Sequence, residues 1–129
     1  MFHLTPPHLL VVEGHADTLQ YIVSMLRLDG YHVLTASGYH KALEVAAQNP
    51  VDLLLCNLTL PDGSGLDLMR SLSEMYNVTG IAISGYSELE DEEDCISAGF
   101  VAHLFKPCTF DRVQAALEVA KYRLEACSA

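Results

Sequence analysis

No two of the four cysteines, Cys56, Cys95, Cys108 and Cys127, stand in a CxxC pair, which argues against a zinc site or a dithiol redox centre. Scattered thiols read as free thiols in a reducing compartment, with Cys56 buried inside an apolar run and Cys127 exposed near the end. No uninterrupted apolar stretch approaches the roughly 20 residues of a membrane helix, although hydrophobic residues make up 50% of the chain. The opening MFHLTPPHLL lacks the basic region and small-residue cleavage site of a signal peptide. Cytoplasm is the expected location, with no membrane partner. Basic residues are scarce: 7 Lys and Arg against 17 Asp and Glu give a formal net charge of -10. That charge repels phosphate backbones and argues against nucleic-acid binding by this domain. A protein partner with a basic surface fits better. Internal repeats and linker-like composition shifts are absent, and the one biased segment is an acidic cluster near residue 90. The 129 residues therefore form one domain, long enough for a single well-covered core.

What the chain does contain is alternation. Apolar runs of strand length, rich in Val, Ile and Leu, occupy His8 to Val12, Tyr31 to Thr35, Val51 to Cys56, Gly80 to Ser84 and Val101 to Phe105. Helix-period segments lie between them. Leu19, Ile22, Val23 and Leu26 mark the first helix, and Phe110, Val113, Leu117, Ala120 and Leu124 the last. Tyr39 to Gln48 and Gly65 to Tyr76 supply the second and third. Ser64 with Asp67 and Ser87 with Glu90 have capping-box spacing, while Ser37 and Thr109 can each cap a helix start. Gly30, Asn49-Pro50 and Gly99 close helices where the period ends. Five such units predict a parallel sheet covered on both faces through right-handed crossovers, a three-layer α/β sandwich. The carboxyl ends of the strands then share one edge, bringing together Glu13 and Gly14, Asn57 to Ser64, Ser84 to Ser87, and Lys106-Pro107.

Residues 53 to 65, LLLCNLTLPDGSG, place an unreactive amide, Asn57, where such a sheet presents its reactive group. The stretches VVEGHADT, CNLTLPDGSGLDLM, IAISGYS, AGF and HLFKP, in this order, resemble the receiver domain of two-component response regulators and hybrid histidine kinases. The resemblance runs from about His8 to about Leu124. It implies the flavodoxin-like receiver topology: a five-stranded parallel sheet in the order 2-1-3-4-5, two helices on one face and three on the other. It also implies site roles: Glu13 and Gly14 occupy the acidic pair, Asn57 the phosphoacceptor position, Ser84 and Lys106 the phosphoryl contacts, and His103 the switch position. Thr59 supplies a backbone carbonyl to the magnesium site that Glu13 and Asn57 would share, and Lys106-Pro107 corresponds to a peptide bond that is usually cis.

Two of these positions depart from the family. A receiver takes phosphate because a carboxylate oxygen attacks phosphorus while magnesium neutralises the equatorial oxygens. An amide oxygen is a far poorer nucleophile, so Asn57 is not expected to be phosphorylated. Gly14 and Asn57 together remove two of the three carboxylates that a hard cation prefers. No cofactor is expected, and Mg2+ at most weakly through Glu13.

Other residues admit two readings. Ser84 and Lys106 could bind an anion or persist as hydrogen-bonding groups, Lys106 paired to Glu13, and the pairing is the expectation. His15 is read as a solvated side chain or cap rather than a metal ligand, and Asp17 as helix-start chemistry. Asp62 is read as turn chemistry in PDGSG, with a displaced phosphoacceptor as its alternative role. Glu88, Glu90, Asp91, Glu92, Glu93 and Asp94 suit the start of a fourth helix. Six carboxylates exceed what a helix dipole needs, which marks this segment as a partner face.

Three functions of different class follow: a pseudo-receiver acting through protein contact, as a segment of a hybrid histidine kinase or response regulator; an ordinary phosphorelay receiver whose acceptor Asp was changed to Asn; and a flavodoxin-like cofactor binder. Against the last, EGHAD offers no phosphate-cradling loop, and neither G-x-G-x-x-G nor a GK[S/T] motif occurs. The first is the expectation, and no enzymatic activity is assigned.

Overall fold

Leu9, Leu10, Val11 and Val12 are all buried, so the strand they form must be covered on both faces. The computed structural model describes residues 6–85 and 92–128. In chain order the elements are β1 (His8–Val12), α1 (Ala16–Leu28), β2 (His32–Ala36), α2 (Tyr39–Gln48), β3 (Leu53–Asn57), β4 (Thr59–Leu60), β5 (Gly63–Ser64), α3 (Gly65–Met75), β6 (Thr79–Ser84), α4 (Glu92–Ala98), β7 (Phe100–Phe105) and α5 (Phe110–Ser128). The main sheet is parallel in the order β2-β1-β3-β6-β7. Counting only its own five strands, this is the order 2-1-3-4-5. β4 and β5 form a separate antiparallel hairpin inside the loop after β3.

Side-chain alternation along the strands sorts the core into two layers. Leu10, Val12, Leu54, Cys56 and Ala82 meet Ala42 and Ala46 of α2, Leu68, Met69 and Leu72 of α3, and Cys95 and Ala98 of α4. Leu9, Val11, Leu53, Leu55, Ile81 and Ile83 meet Val23 and Leu26 of α1 and Val113, Leu117, Ala120 and Leu124 of α5. Three helices therefore cover one face and two the other. The apolar stripes of the first and last helices are the faces that pack inward.

Boundaries differ where hydrogen bonding overrides apolarity. Tyr31 is buried but precedes β2, because its N–H still closes the end of α1 on Leu26 O at 3.2 Å. Val51 likewise precedes β3. Gly30 and Gly99 hold positive φ, 95° and 116°, and end α1 and α4 as anticipated. Ser64 Oγ accepts from Leu66 N at 3.1 Å and caps α3, whereas Asp67 pairs with Arg70 at 3.0 Å rather than completing a capping box. Thr109 Oγ1 accepts from Arg112 N at 3.4 Å. The Ser87 and Glu90 pairing lies outside the described residues, as do Glu88 and Asp91.

Ser37 does not cap α2. The N-cap is Gly38, and the N–H groups of Tyr39 and His40 donate to Asp62 Oδ1 at 2.6 Å and Oδ2 at 3.1 Å. A carboxylate from the β4-β5 hairpin thus closes a helix 23 residues away. A Cβ at position 38 would press on that carboxylate and push the cap aside. These bonds hold the Asp62 carboxyl below the usual carboxylate range. A depressed folded-state pKa gives stability that is present above the unfolded value and lost as pH falls through the folded one. Asp62→Asn should therefore melt below the wild type at neutral pH. The gap should close on acidification below about pH 3.9, the unperturbed value. A gap that stays constant to low pH would show that the charge is not what caps α2.

Candidate functional site

Four strand ends converge at the carboxyl edge of the sheet. β1 delivers Glu13, β3 Asn57, β6 Ser84 and β7 Lys106, and the register that pairs Val12 with Cys56 and Asn57 with Ile83 sets them side by side. Glu13, Asn57 and Ser84 are buried, at 3%, 6% and 0% exposure. Buried polar groups need partners, and those partners define the site.

Glu13 is held by two side chains, Lys106 and His15. Lys106 Nζ donates to Glu13 Oε1 at 3.2 Å and Oε2 at 3.4 Å, and His15 Nδ1 lies 3.1 Å from Oε1. The expected Lys106 pairing is present. His15 is the N-cap residue of α1 but makes no side-chain cap bond; its exposed ring rests on Glu13 instead.

Asn57 turns inward on its own loop. Its Nδ2 donates to the Thr59 carbonyl at 2.7 Å, so the carbonyl assigned to a metal accepts from an amide. The opposite amide orientation would set two acceptor oxygens against each other, which fixes the assignment. Asn57 Oδ1 is buried and accepts no bond from the described residues. Beneath it, Cys56 Sγ donates to Asn57 O at 3.2 Å, and burial, with the charge of Glu13 second, pushes the Cys56 thiol pKa far up. This thiol stays neutral and unreactive.

At Gly14 an added Cβ would stand 3.0 Å from Pro61 Cγ and Cδ. The loop after β3 closes over the place where a second acidic side chain would begin. Among the described residues, no group of three or more His, Cys, Asp or Glu is arranged to hold a metal ion. The oxygens nearest that role are the Glu13 carboxylate, the Thr59 carbonyl and Asn57 Oδ1.

Ser84 is engaged elsewhere. Its Oγ lies 2.7 Å from His103 Nε2, and His103 Nδ1 lies 3.6 Å from Cys95 Sγ on α4. The Phe105 ring packs on the imidazole at 4.4 Å between centroids. The peptide bond Lys106-Pro107 is cis. Asp62 is engaged at the start of α2, where it accepts from Tyr39 N and His40 N.

The response regulator receiver domain family matches residues 9–118. The chain belongs to that family. It is 33% identical over 122 residues to the KDP operon transcriptional regulatory protein KdpE of Escherichia coli, covering 95% of this chain and 54% of KdpE. It is 32% identical over 114 residues to KdpE of Mycobacterium tuberculosis, covering 88% of this chain and 50% of that protein. It therefore spans about half the length of these relatives. Among solved structures, a response regulator receiver domain protein from Clostridium thermocellum superposes with a TM-score of 0.87 at 26% identity, covering 94% of this chain and 98% of that one. The receiver topology implied by the motif set is the observed one.

In this receiver the sequence-predicted residues Glu13, Gly14, Asn57, Thr59, Ser84 and Lys106 come together at one edge, while Glu92, Glu93 and Asp94 form the first turn of α4. Sequence reasoning missed the hairpin, the Asp62 cap and the Cys95 end of the His103 chain. A two-residue strand carries no periodic signal, and side-chain bonds between residues far apart in sequence leave no local pattern. No described helix is long and apolar enough to cross a membrane.

Proposed function

We propose that this receiver domain works through protein contact without accepting a phosphoryl group. The observation that carries the reading is the bond from Asn57 Nδ2 to Thr59 O at 2.7 Å. An N–H donor stands where attack on phosphorus requires an anionic oxygen, and it occupies the carbonyl a metal would use. The Lys106 ammonium on both oxygens of Glu13 supports it, because a magnesium ion would have to displace that ammonium. The closeness of Pro61 to the place a Cβ at position 14 would take supports it further. An amide alone is the change an experimenter would make, whereas a loop closed over the second acidic position fits a site that is degenerate throughout.

The residues present do not suit a hard divalent cation. The partner is read as a signalling kinase, phosphotransfer or output domain with a basic surface. Three carboxylates in the first turn of α4 leave that end of the helix strongly negative and favour charge-steered association. The two KdpE relatives are transcriptional regulatory proteins; for this chain the reading extends to the module alone.

Incubation with acetyl phosphate and millimolar magnesium should leave the intact mass unchanged and the melting temperature within error. A ligand at 100 times its Kd would stabilise the fold by about 2.7 kcal/mol, a shift that is easily seen. Gly14→Asp with Asn57→Asp should restore both the adduct and the magnesium-dependent rise, once Pro61 yields a few tenths of an ångström. An adduct of one phosphoryl group on the unmodified chain would refute the reading. Mapping it to Asp62 would identify a displaced acceptor.

A further inference from the structure

Three side chains of metal-ligand type stand in one row at the amino edge of the sheet, the end opposite Glu13 and Asn57. His8 and His32 are register partners on β1 and β2. Asp52, directly before β3, flanks His8 on its other side: its N–H donates to His8 O at 2.9 Å, and its Oδ2 accepts from His8 N at 2.9 Å. Strand alternation sets His8 with Leu10, His32 with Leu34 and Asp52 with Leu54, on the face covered by α2, α3 and α4. The two imidazoles lie nearly parallel, 15° between planes and 5.1 Å between centroids. We propose that His8 and His32 form a two-imidazole site for a borderline divalent transition-metal ion such as Zn2+, with Asp52 as the carboxylate that orients His8.

The nitrogens needed for ligation are free. Asp52 Oδ2 lies 3.6 Å from His8 Nδ1, which favours the ring proton on that nitrogen and leaves the Nε2 lone pair for a metal. Neither Nε2 of His8 nor either ring nitrogen of His32 bonds to a described residue. Solvent reaches both rings, since His32 is exposed and the His8 side chain is 35% exposed. Zn–N bonds are about 2.0–2.1 Å, so two nitrogens on one tetrahedral ion stand about 3.3 Å apart. The exposed His32 ring has to tilt toward His8 to reach that spacing, while the strand pairing already holds the two backbones in register. Water completes the coordination, so the site needs no trio of ligands, and none is arranged for a metal among the described residues.

The surroundings favour a cation. Asp52 lines a cavity together with Tyr76 and the carboxyl end of α2, from Ala46 through Val51. The last turn of α2 has no basic residue, so the partial negative charge of that helix end is not neutralised from within the helix. An ion on both rings would clamp the edge strand β2 to β1. Imidazole selects borderline metals, whereas Mg2+ prefers hard oxygens. The site does not depend on whether Asn57 can take a phosphoryl group, so it stands or falls separately from the proposed function.

Titration of the full chain with Zn2+ alone at about pH 7.5, above the ordinary imidazole range, tests it by NMR of the histidine rings. Reading each ring separately keeps binding at thiols or other histidines apart from this site. The His8 and His32 signals should shift together along one saturable curve below about 1 mM Zn2+, and Mg2+ at the same concentration should move neither. His32→Ala alters an exposed side chain, keeps the fold, and should abolish the His8 response. Asp52→Asn should weaken the affinity by about 10-fold or more, the effect of losing an orienting carboxylate. Rings that do not move, or that move along different curves, would overturn the proposal, as would a His8 response that survives in His32→Ala. An unchanged affinity in Asp52→Asn would overturn the role given to Asp52.

Discussion

Lys106→Met should lower stability by about 2–3 kcal/mol, below the roughly 3–5 kcal/mol typical when one member of a fully buried ion pair is removed. The Glu13 side chain is 4% exposed and loses its ammonium partner. The discount reflects Lys106, whose side chain is 32% exposed and partly screened by solvent, and His15, which still touches Glu13 Oε1. For a domain of this size the loss corresponds to roughly 10 °C in melting temperature. Adding Glu13→Gln should recover most of it, because the uncompensated charge rather than the missing contact is the main cost. A single variant within about 0.5 kcal/mol of wild type, the range of an ordinary surface change, would show that the pair does not hold this edge together.

Gly65→Ala should cost about 3 kcal/mol, against what helix propensity alone predicts. Position 65 is the first residue of α3, and alanine ordinarily favours a helix over glycine by up to about 1 kcal/mol. Here the added Cβ would stand 2.5 Å from Asn57 O, 2.9 Å from Leu58 Cα and 3.1 Å from Cys56 Sγ. Two of those atoms are backbone, fixed by the Gly65 N to Leu58 O bond at 2.8 Å and by Leu58 N to Ile83 O at 2.9 Å. They cannot yield as a flexible side chain would, so overpacking wins. The helix would have to move off the end of β3, which also displaces Asn57 and Thr59. Chemical denaturation measures this directly, and a variant as stable as the parent would mean that the approach relaxes without cost.

The fold was legible from the chain because it rests on periodicity. Runs such as LLLCN and TGIAIS, buried at nearly every position, are the pattern of a central parallel strand, and the stripe through Val113, Leu117, Ala120 and Leu124 is the pattern of a covering helix. The candidate site was legible in part, since strand ends in a parallel sheet must share an edge. That placed Glu13, Asn57, Ser84 and Lys106 together, and opposite charge made the Glu13 to Lys106 pairing predictable.

Residue identities alone also determined that the acceptor position is an amide and that one member of the acidic pair has no side chain. Which way each polar group turns was decided only by the tertiary structure. The inward bond of Asn57 to Thr59, the capping of α2 by Asp62 in place of Ser37, and the chain from Ser84 through His103 to Cys95 join residues 2, 23, 19 and 8 positions apart. A hydrogen bond selects its partner over about 3 Å and within a narrow angle. Hydrophobic periodicity resolves a face of a helix or strand, not a direction of that precision, so these choices appear only once the strands are in register and the loops have closed.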